Sequence, residues 1–338
     1  MVAAADPDSG ETLTLPPIAA ESTIVIGVAG IDDGEHGRLT AFRSADGTRL
    51  WDFFVARRGG PVWTRMAYDT STGVVYAATG NASPDFAPDL RAEPTPYANA
   101  VLALTLATGK LRWSRQFDST DTHDYDLTVV GPIVGDTLIV GGKDGVVRAL
   151  DANTGAEFWS TEVVRRENVD APVRPEGTHA CPGTFGGISW NGPAVLDSTL
   201  YVGVVEMCGR YFRDITIPSL AGYFRPDSAG TGAVVAVDLH TGKIRWRYAT
   251  RSPVVASVLA TAGGLLFAAE IDGTLYALDA LSGARLWHHT VPGTIGGGIA
   301  SYEIEGRQYV ALTSGAASMI LPSAHRGVPS VTIFSVRR

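Results

Sequence analysis

Apolar residues in this sequence recur with the period of two that is typical of β-strands, and the 3.6-residue period of amphipathic helices is almost absent. Short runs that alternate in polarity or are continuously apolar are bounded by Gly, Asp and Pro. Examples are residues 23–28, 73–78, 137–141 and 264–269. Runs of this length between turn-forming residues indicate many short strands. We therefore predict an all-β fold.

A strand, a turn close to Asp-x-x-x-Gly, and a Trp recur five times along the chain. The Trp residues of this repeat are Trp51, Trp113, Trp159, Trp246 and Trp287. Two of the intervals are 46 and 41 residues, a length typical of a four-stranded propeller blade. The longest interval fits two units with a degenerate copy near Tyr201, and the first contains an insertion at residues 82–98. The sequence predicts a β-propeller with about six blades.

Each part of the repeat has a physical role. The Gly allows the positive φ that a tight turn needs, and the Trp offers an apolar plate on which the next blade can pack. One blade cannot bury both of its faces, so neighbouring blades must stack around an axis. We expect a single propeller domain over residues 1–338, and a long polar loop at residues 165–182.

Composition narrows the possible functions. The 338-residue chain has a formal net charge of −8 and no basic block, which disfavours binding to a nucleic-acid backbone. No apolar run reaches the roughly 18 residues of a membrane-spanning helix. The first residues lack the basic and apolar regions of a signal peptide. Cys181 and Cys208 lie in Gly-rich, turn-like sequence, which favours one disulfide and an oxidising compartment; two buried free thiols are the alternative.

Several stretches between the repeats carry a more specific signal. They are residues 62–69 with 74–84 (including Thr-Gly-Asn-Ala-Ser-Pro), residues 121–126 (Asp-Thr-His-Asp-Tyr-Asp), residues 142–145 (Gly-Lys-Asp-Gly), residues 181–193, and residues 260–267 with 306–311. Together they resemble the quinoprotein alcohol dehydrogenase superfamily, whose members bind pyrroloquinoline quinone (PQQ) on an eight-bladed propeller. The resemblance covers nearly the whole chain.

The resemblance implies roles for five residues. Asn81 would give its side-chain oxygen to a metal ion, and Asp126 would be the additional anionic ligand that accompanies lanthanide use in the family. Asp124 would be a further ligand of the metal and the general base that takes the alcohol proton. Trp63 would form the floor on which PQQ stacks, and Lys143 would contact the quinone oxygens.

Each of these residues also has a structural interpretation. Asn81 could be an ordinary turn residue, and the Asp residues of 118–126 could form a solvated acidic loop. Trp63 could be one more packing residue between blades, and Lys143 an exposed turn residue. The joint presence of all five favours the cofactor site.

The sequence also departs from the family pattern. A metal-binding Glu and a pair of adjacent cysteines from an earlier blade have no counterpart, and residues 253–256 stand where many members place a Trp. We expect that about two leading blades are absent, so that the ring is incomplete and the isolated chain could be inactive.

The leading hypothesis is a PQQ-dependent enzyme that uses calcium or a lanthanide to oxidise an alcohol or polyol. Electrons would pass to a cytochrome or quinone acceptor. Because no haem-attachment motif is present, we expect that this acceptor is not fused within this segment. The family implies a periplasmic or secreted location. The alternative is a non-catalytic propeller with the same repeat, acting as a scaffold or outer-membrane assembly factor.

Overall fold

The structure, a computed structural model, describes residues 4–30, 37–91, 93–188, 190–315 and 327–335. Its strands form seven antiparallel sheets within these ranges. Helical segments in the same ranges are two short 3-10 turns, Pro7–Ser9 and Pro88–Leu90, and none is long or apolar enough to cross a membrane. The all-β prediction is confirmed.

The first three sheets are four-stranded meanders, each built from consecutive strands. Their strands are β1 Ile18–Ala20, β2 Thr23–Val28, β3 Arg38–Arg43 and β4 Arg49–Phe54; β5 Ala67–Asp69, β6 Val74–Ala78, β7 Ala100–Thr105 and β8 Leu111–Gln116; and β9 Leu127–Val134, β10 Thr137–Gly142, β11 Val146–Asp151 and β12 Glu157–Glu162. In each meander the third strand is mostly buried and the fourth is more exposed, as expected for blades whose outer edge faces solvent.

Three further blades follow in the C-terminal half, together with one small separate sheet. The blade strands are β14 Gly187–Ile188, β15 Ala194–Leu196, β16 Thr199–Glu206, β19 Thr231–Asp238 and β20 Ile244–Thr250; β21 Leu259–Ala260, β22 Leu265–Ala269, β23 Thr274–Asp279 and β24 Arg285–Thr290; and β25 Ile299–Ile304, β26 Arg307–Ser314 and β27 Ser330–Ser335. Strand β16 is the degenerate copy predicted near Tyr201. Six successive blades agree with the predicted number.

The recurring Trp residues pack one blade against the next, as predicted. The Trp113 indole N–H donates to the Ala152 carbonyl at 3.0 Å, and Trp246 donates to Ala280 at 3.1 Å. The Gly of the next turn lies against the indole: a Cβ on Gly155 would be 2.7 Å from the Trp113 ring. That glycine also has a φ of 74°, so both space and backbone conformation require it.

The apolar core is divided into layers between neighbouring blades. Val25 and Leu39 of the first blade pack with Val75 and Leu102 of the second, and all four are fully buried. Similar layers join each blade to the next as far as the sixth. This stacking buries the faces that an isolated blade would expose to water.

The structure corrects the predicted loop at residues 165–182. Its last part forms β13 Thr178–Ala180, which pairs with β17 Gly209–Arg213 and, through it, with β18 Gly222–Pro226. We call this three-stranded unit the side sheet. It has no strong signal in the sequence, because β13 has only three residues and its partner lies 30 residues further on. Cys181 and Cys208 form a disulfide at its edge, which confirms the favoured alternative.

Candidate active site

All five residues selected from the sequence line one cavity of about 1160 Å³. The cavity is bordered by residues of the first blade, such as Thr12 and Ala29, and of the last, such as Thr313 and Val331. Blades far apart in the sequence therefore face a common central space. The structure brings Trp63, Asn81, Asp124, Asp126 and Lys143 together there, while their roles remain predictions.

The segment between β8 and β9 presents Asp124 and Asp126 to the cavity. Its shape is set by Asp121, whose carboxylate accepts the backbone N–H groups of His123 at 2.9 Å and Tyr125 at 2.8 Å. Asp124 has a φ of 59°, a left-handed conformation that Asp tolerates better than most residues. The Tyr125 hydroxyl donates to the Pro182 carbonyl at 2.8 Å, which ties this segment to the side sheet.

Lys143 lies between the two carboxylates. Its Nζ is 2.9 Å from each carboxylate oxygen of Asp124 and 2.7 Å from Oδ2 of Asp126. The turn between β10 and β11 carries this lysine, and the Lys143 N–H donates to the Asp126 carbonyl at 2.9 Å. Lys143 is only 8% exposed, which excludes the interpretation as an exposed turn residue.

Asn81 follows β6 and holds Asp126 from the other side. Its backbone N–H donates to Asp126 Oδ1 at 2.7 Å. The preceding Gly80 permits this approach, because a Cβ there would lie 2.3 Å from the same carboxylate oxygen. Asn81 is 1% exposed and borders the cavity. The close approach of the Asp126 carboxylate therefore explains why a Gly precedes Asn81 in the Thr-Gly-Asn sequence.

Burial dominates the electrostatics of the site. It raises the pKa of Asp124 above its usual value, and the Lys143 ammonium offsets only part of that effect. Burial opposes the charge of Lys143, but Asp124 and Asp126 together raise its pKa above the usual range. The result is a carboxyl group with increased proton affinity beside a fixed positive charge.

Trp63 supplies a flat apolar surface beside these charges. Lys143 Nζ lies 5.5 Å from the centre of its ring, within the range of a cation–π contact. Trp190 packs at 6.0 Å from Trp63 and also lines the cavity, so it contributes to the site as well as to the core. The Trp63 Nε1 is buried and has no hydrogen-bond partner among the described residues.

Two residues of the site were missed in the sequence. The Thr184 hydroxyl donates to Asp124 Oδ2. Asp85 is 4% exposed, lines the cavity and interacts with the Asn81 side chain. Burial, together with Asp124 and Asp126, raises the pKa of Asp85 well above its usual value. The signal for Asp85 was its position, four residues after Asn81 in the same loop.

The site does not contain a ready-made cluster of metal ligands. Among the described residues, no three Asp, Glu, His or Cys side chains lie where they could hold one ion. The oxygen donors that line the cavity include the amide of Asn81 and the carboxylates of Asp85, Asp124 and Asp126, and Lys143 lies between the last two. Such donors suit a hard cation such as calcium, but further oxygen ligands would have to come from a bound molecule or another part of the protein.

Comparisons with known proteins place this chain in a family. A family model described as "Glucose/ethanol/alcohol dehydrogenase, beta-propeller domain" matches residues 2–134, and one described as "Outer membrane protein assembly factor BamB" matches residues 143–324, more than half of the chain. The chain therefore belongs to the superfamily of PQQ-type β-propellers that includes the quinoprotein alcohol dehydrogenases.

Individual relatives agree with this assignment. Lupanine 17-hydroxylase [cytochrome c] of a Pseudomonas species is 26% identical over 96% of this chain and 55% of its own length. Lanthanide-dependent methanol dehydrogenase of Methylacidiphilum fumariolicum is 25% identical over 92% of this chain and 63% of its own length. The quinohemoprotein alcohol dehydrogenase of Comamonas testosteroni has the same fold, with a TM-score of 0.85 at 22% identity; the match covers 96% of this chain and 60% of that one. The chain spans about three fifths of the length of such proteins.

Proposed function

We propose that this protein takes part in the PQQ- and metal-dependent oxidation of an alcohol or polyol. The observation that carries the proposal is the convergence of Asp124, Asp126 and Asn81 with Lys143 and Trp63 on one cavity. A general base, oxygen donors for a cation, a fixed ammonium and a flat aromatic face are the groups that such chemistry needs.

The residues fit the cofactor and the metal. The Trp63 ring offers a stacking surface, and its buried Nε1 is a hydrogen-bond donor without an acceptor among the described residues. Lys143 would donate to the quinone oxygens. Asn81, Asp124 and Asp126 would give oxygen ligands to calcium or a lanthanide once Lys143 turns toward the cofactor. The excess of carboxylates over ammonium groups favours a bound cation, because unpaired buried charge is costly.

In the proposed reaction, bound PQQ supplies the two-electron acceptor for the hydride of the alcohol carbon. Asp124 accepts the hydroxyl proton at a carboxylate oxygen, so that the alcohol loses one hydride and one proton and leaves as the carbonyl product. Thr184 holds Asp124 in place for this transfer.

Other parts of the proposal rest on the relatives. We propose a single propeller domain over residues 1–338 that forms an incomplete ring. We also propose a cytochrome or quinone as electron acceptor, and a periplasmic or secreted location.

The first test is a titration of the purified chain with PQQ together with calcium or lanthanum, followed by tryptophan fluorescence. Saturable, metal-dependent quenching is expected, and Asn81→Ala and Asp126→Asn should weaken it. Glu93→Gln, which removes a charge from an exposed ion pair with Arg57, and Asn153→Ala, in an exposed turn, are the matched controls. A folded chain that binds neither PQQ nor metal would contradict the proposal.

Turnover gives the second test. With PQQ and metal at saturation, Asp124→Asn should lower the rate constant by about 100- to 10,000-fold, the usual contribution of a general base. An unchanged rate would remove Asp124 from the mechanism.

A second candidate function is favoured by one observation. Residues 143–324 match the assembly-factor model, so a propeller of this type could act as a scaffold without a cofactor. The same titration separates the two, because a scaffold has no reason to bind PQQ.

A further inference from the structure

Among the described residues, Asp85 is the one buried acid of the cavity for which the proposed chemistry has no use. Its side chain is 4% exposed and borders the cavity. Its Oδ1 is buried and has no hydrogen-bond partner in the part of the chain that the structure describes. An unsatisfied buried carboxylate oxygen costs free energy, so it persists where a ligand completes its partners.

Asp85 is not bonded to Lys143, unlike the two acids that would hold the metal. It interacts with the Asn81 amide, and Asp124 and Asp126 are the acids bonded to Lys143. The described residues offer no arrangement in which three acids share one ion. Asp85 therefore borders the cavity with one carboxylate oxygen that no described residue satisfies.

The loop that carries Asp85 is held firmly in place. The Phe86 N–H donates to the Leu220 carbonyl at 2.9 Å, and the Ser83 hydroxyl donates to the Ser219 carbonyl at 2.8 Å. Both acceptors lie in the turn between the last two strands of the side sheet. Asp85 is thus fixed on two sides and cannot easily withdraw from the cavity.

The walls around this part of the cavity are aromatic. Phe86, Phe185, Tyr223 and Phe224 all line it, and the Phe185 and Phe224 rings are 6.1 Å apart. Aromatic faces attract cations, especially where water is excluded. A lone carboxylate oxygen within an aromatic cavity is complementary to an ammonium group with an apolar chain.

We propose that Asp85 binds a protonated amine on the substrate, so that this protein is selective for amino alcohols. The hydroxyl end of the substrate would reach Asp124, while the ammonium end would donate to Asp85 and face the aromatic walls. The turnover test of this inference rests on the proposed function, whereas the binding test needs neither the cofactor nor turnover.

The turnover test compares two alcohols of nearly equal size, 4-amino-1-butanol and 1-pentanol, which differ by an ammonium in place of a methyl group. The wild type should have at least a tenfold higher kcat/KM for the amine. Asp85→Asn should abolish that preference, whereas Glu93→Gln should keep it. Equal kcat/KM values in the wild type, a preference unchanged in Asp85→Asn, or a preference for 1,5-pentanediol over both would overturn the proposal.

The binding test measures tryptophan fluorescence of the cofactor-free protein with n-butylammonium chloride, using 1-butanol as the uncharged probe. We expect n-butylammonium to bind and 1-butanol not to bind, and we expect the ammonium to bind at least tenfold more weakly to Asp85→Asn and Asp85→Ser. This result supports the proposal even if no alcohol is oxidised. In that case the dehydrogenase function fails and the cation site stands. Oxidation of alcohols without ammonium binding would support the dehydrogenase function and overturn the amine site. Thermal unfolding verifies that each variant is folded.

Discussion

Buried acidic side chains have different partners in two regions of this molecule, beside the turn between β22 and β23 and in the loops after β6 and β8. In the first region, Glu270 is 1% exposed, accepts the Ser252 N–H at 2.7 Å and accepts the Tyr276 hydroxyl. In the second, Asp85 has an oxygen without a partner among the described residues, and Asp124 and Asp126 share one ammonium. A buried acid whose hydrogen-bond partners are complete stabilises the fold, whereas an acid with an unsatisfied oxygen is a candidate ligand-binding group.

The largest effect is expected from removing the shared ammonium. Lys143→Met leaves Asp124 and Asp126 facing each other without a counter-charge, which should lower the free energy of unfolding by about 3–5 kcal/mol. Calcium or lanthanum should restore much of this loss, because the cation would take over the same role. Urea unfolding with and without the metal measures both effects.

Lys243→Met is the matched control for that experiment. Lys243 lies in an exposed turn of the fourth blade, so its loss should change stability little. A Lys143→Met variant as stable as the wild type in the absence of metal would show that the two acids do not depend on the ammonium.

The Trp contacts between neighbouring blades should contribute about equally to the free energy of unfolding in both regions. Trp113→Ala and Trp246→Ala each remove a large ring and its hydrogen bond to the next blade, and each should cost about 3–5 kcal/mol in urea unfolding. Trp287 is 40% exposed, so Trp287→Ala should cost only about 1 kcal/mol. Equal costs for all three would contradict the role assigned to the contact with the next blade.

This similarity explains why the fold was predictable from sequence. The turn Gly and the Trp lie at a fixed spacing, and each satisfies a local requirement that the next blade repeats. The alternating strands between these positions complete each blade, so the number of blades could be predicted by counting the repeats. The site motifs could be recognised as short sequences, although the reason for the Gly of Thr-Gly-Asn is the close approach of Asp126 from a distant segment.

The remaining features depend on contacts between distant segments. Thr184 reaches Asp124 across 60 positions, and the side sheet pairs residues 178–180 with 209–211. Nothing in the sequence near Asp85 showed that its carboxylate would be buried without a complete set of partners. Such features require the three-dimensional structure, because they depend on what surrounds a side chain rather than on its neighbours in sequence.

A smaller effect is expected at the structural acid. Glu270→Ala leaves the Tyr276 hydroxyl and the Ser252 N–H without these acceptors, which should cost about 2–3 kcal/mol in urea unfolding. Asp85→Ala should cost almost nothing or raise stability, since it removes an unsatisfied group. Equal losses in the two variants would contradict the distinction between the two kinds of buried acid.

The smallest effect concerns the pH dependence of stability near the site. His123 is fully buried, its ring stacks on Tyr125 at 5.3 Å, and its Nε2 has no partner among the described residues. Burial lowers the pKa of His123 to about 4. As the pH falls below about 6.5, the unfolded chain binds a proton that the folded chain does not take up until about pH 4, so stability is lost in this window.

His123→Phe should remove that loss. In urea unfolding, the free energy of unfolding of the variant relative to the wild type should be about 2 kcal/mol higher at pH 5 than at pH 7. Burial also raises the pKa of Asp121 to about 6, which works in the opposite direction, because the folded state then binds a proton before the unfolded state does. The variant must therefore be compared with the wild type at each pH, so that the Asp121 contribution cancels. His240→Phe, at an exposed position, should show no such difference between the two pH values. If His123→Phe differs from the wild type equally at pH 5 and pH 7, His123 is not held neutral by burial, and the aromatic packing around it would be its only contribution.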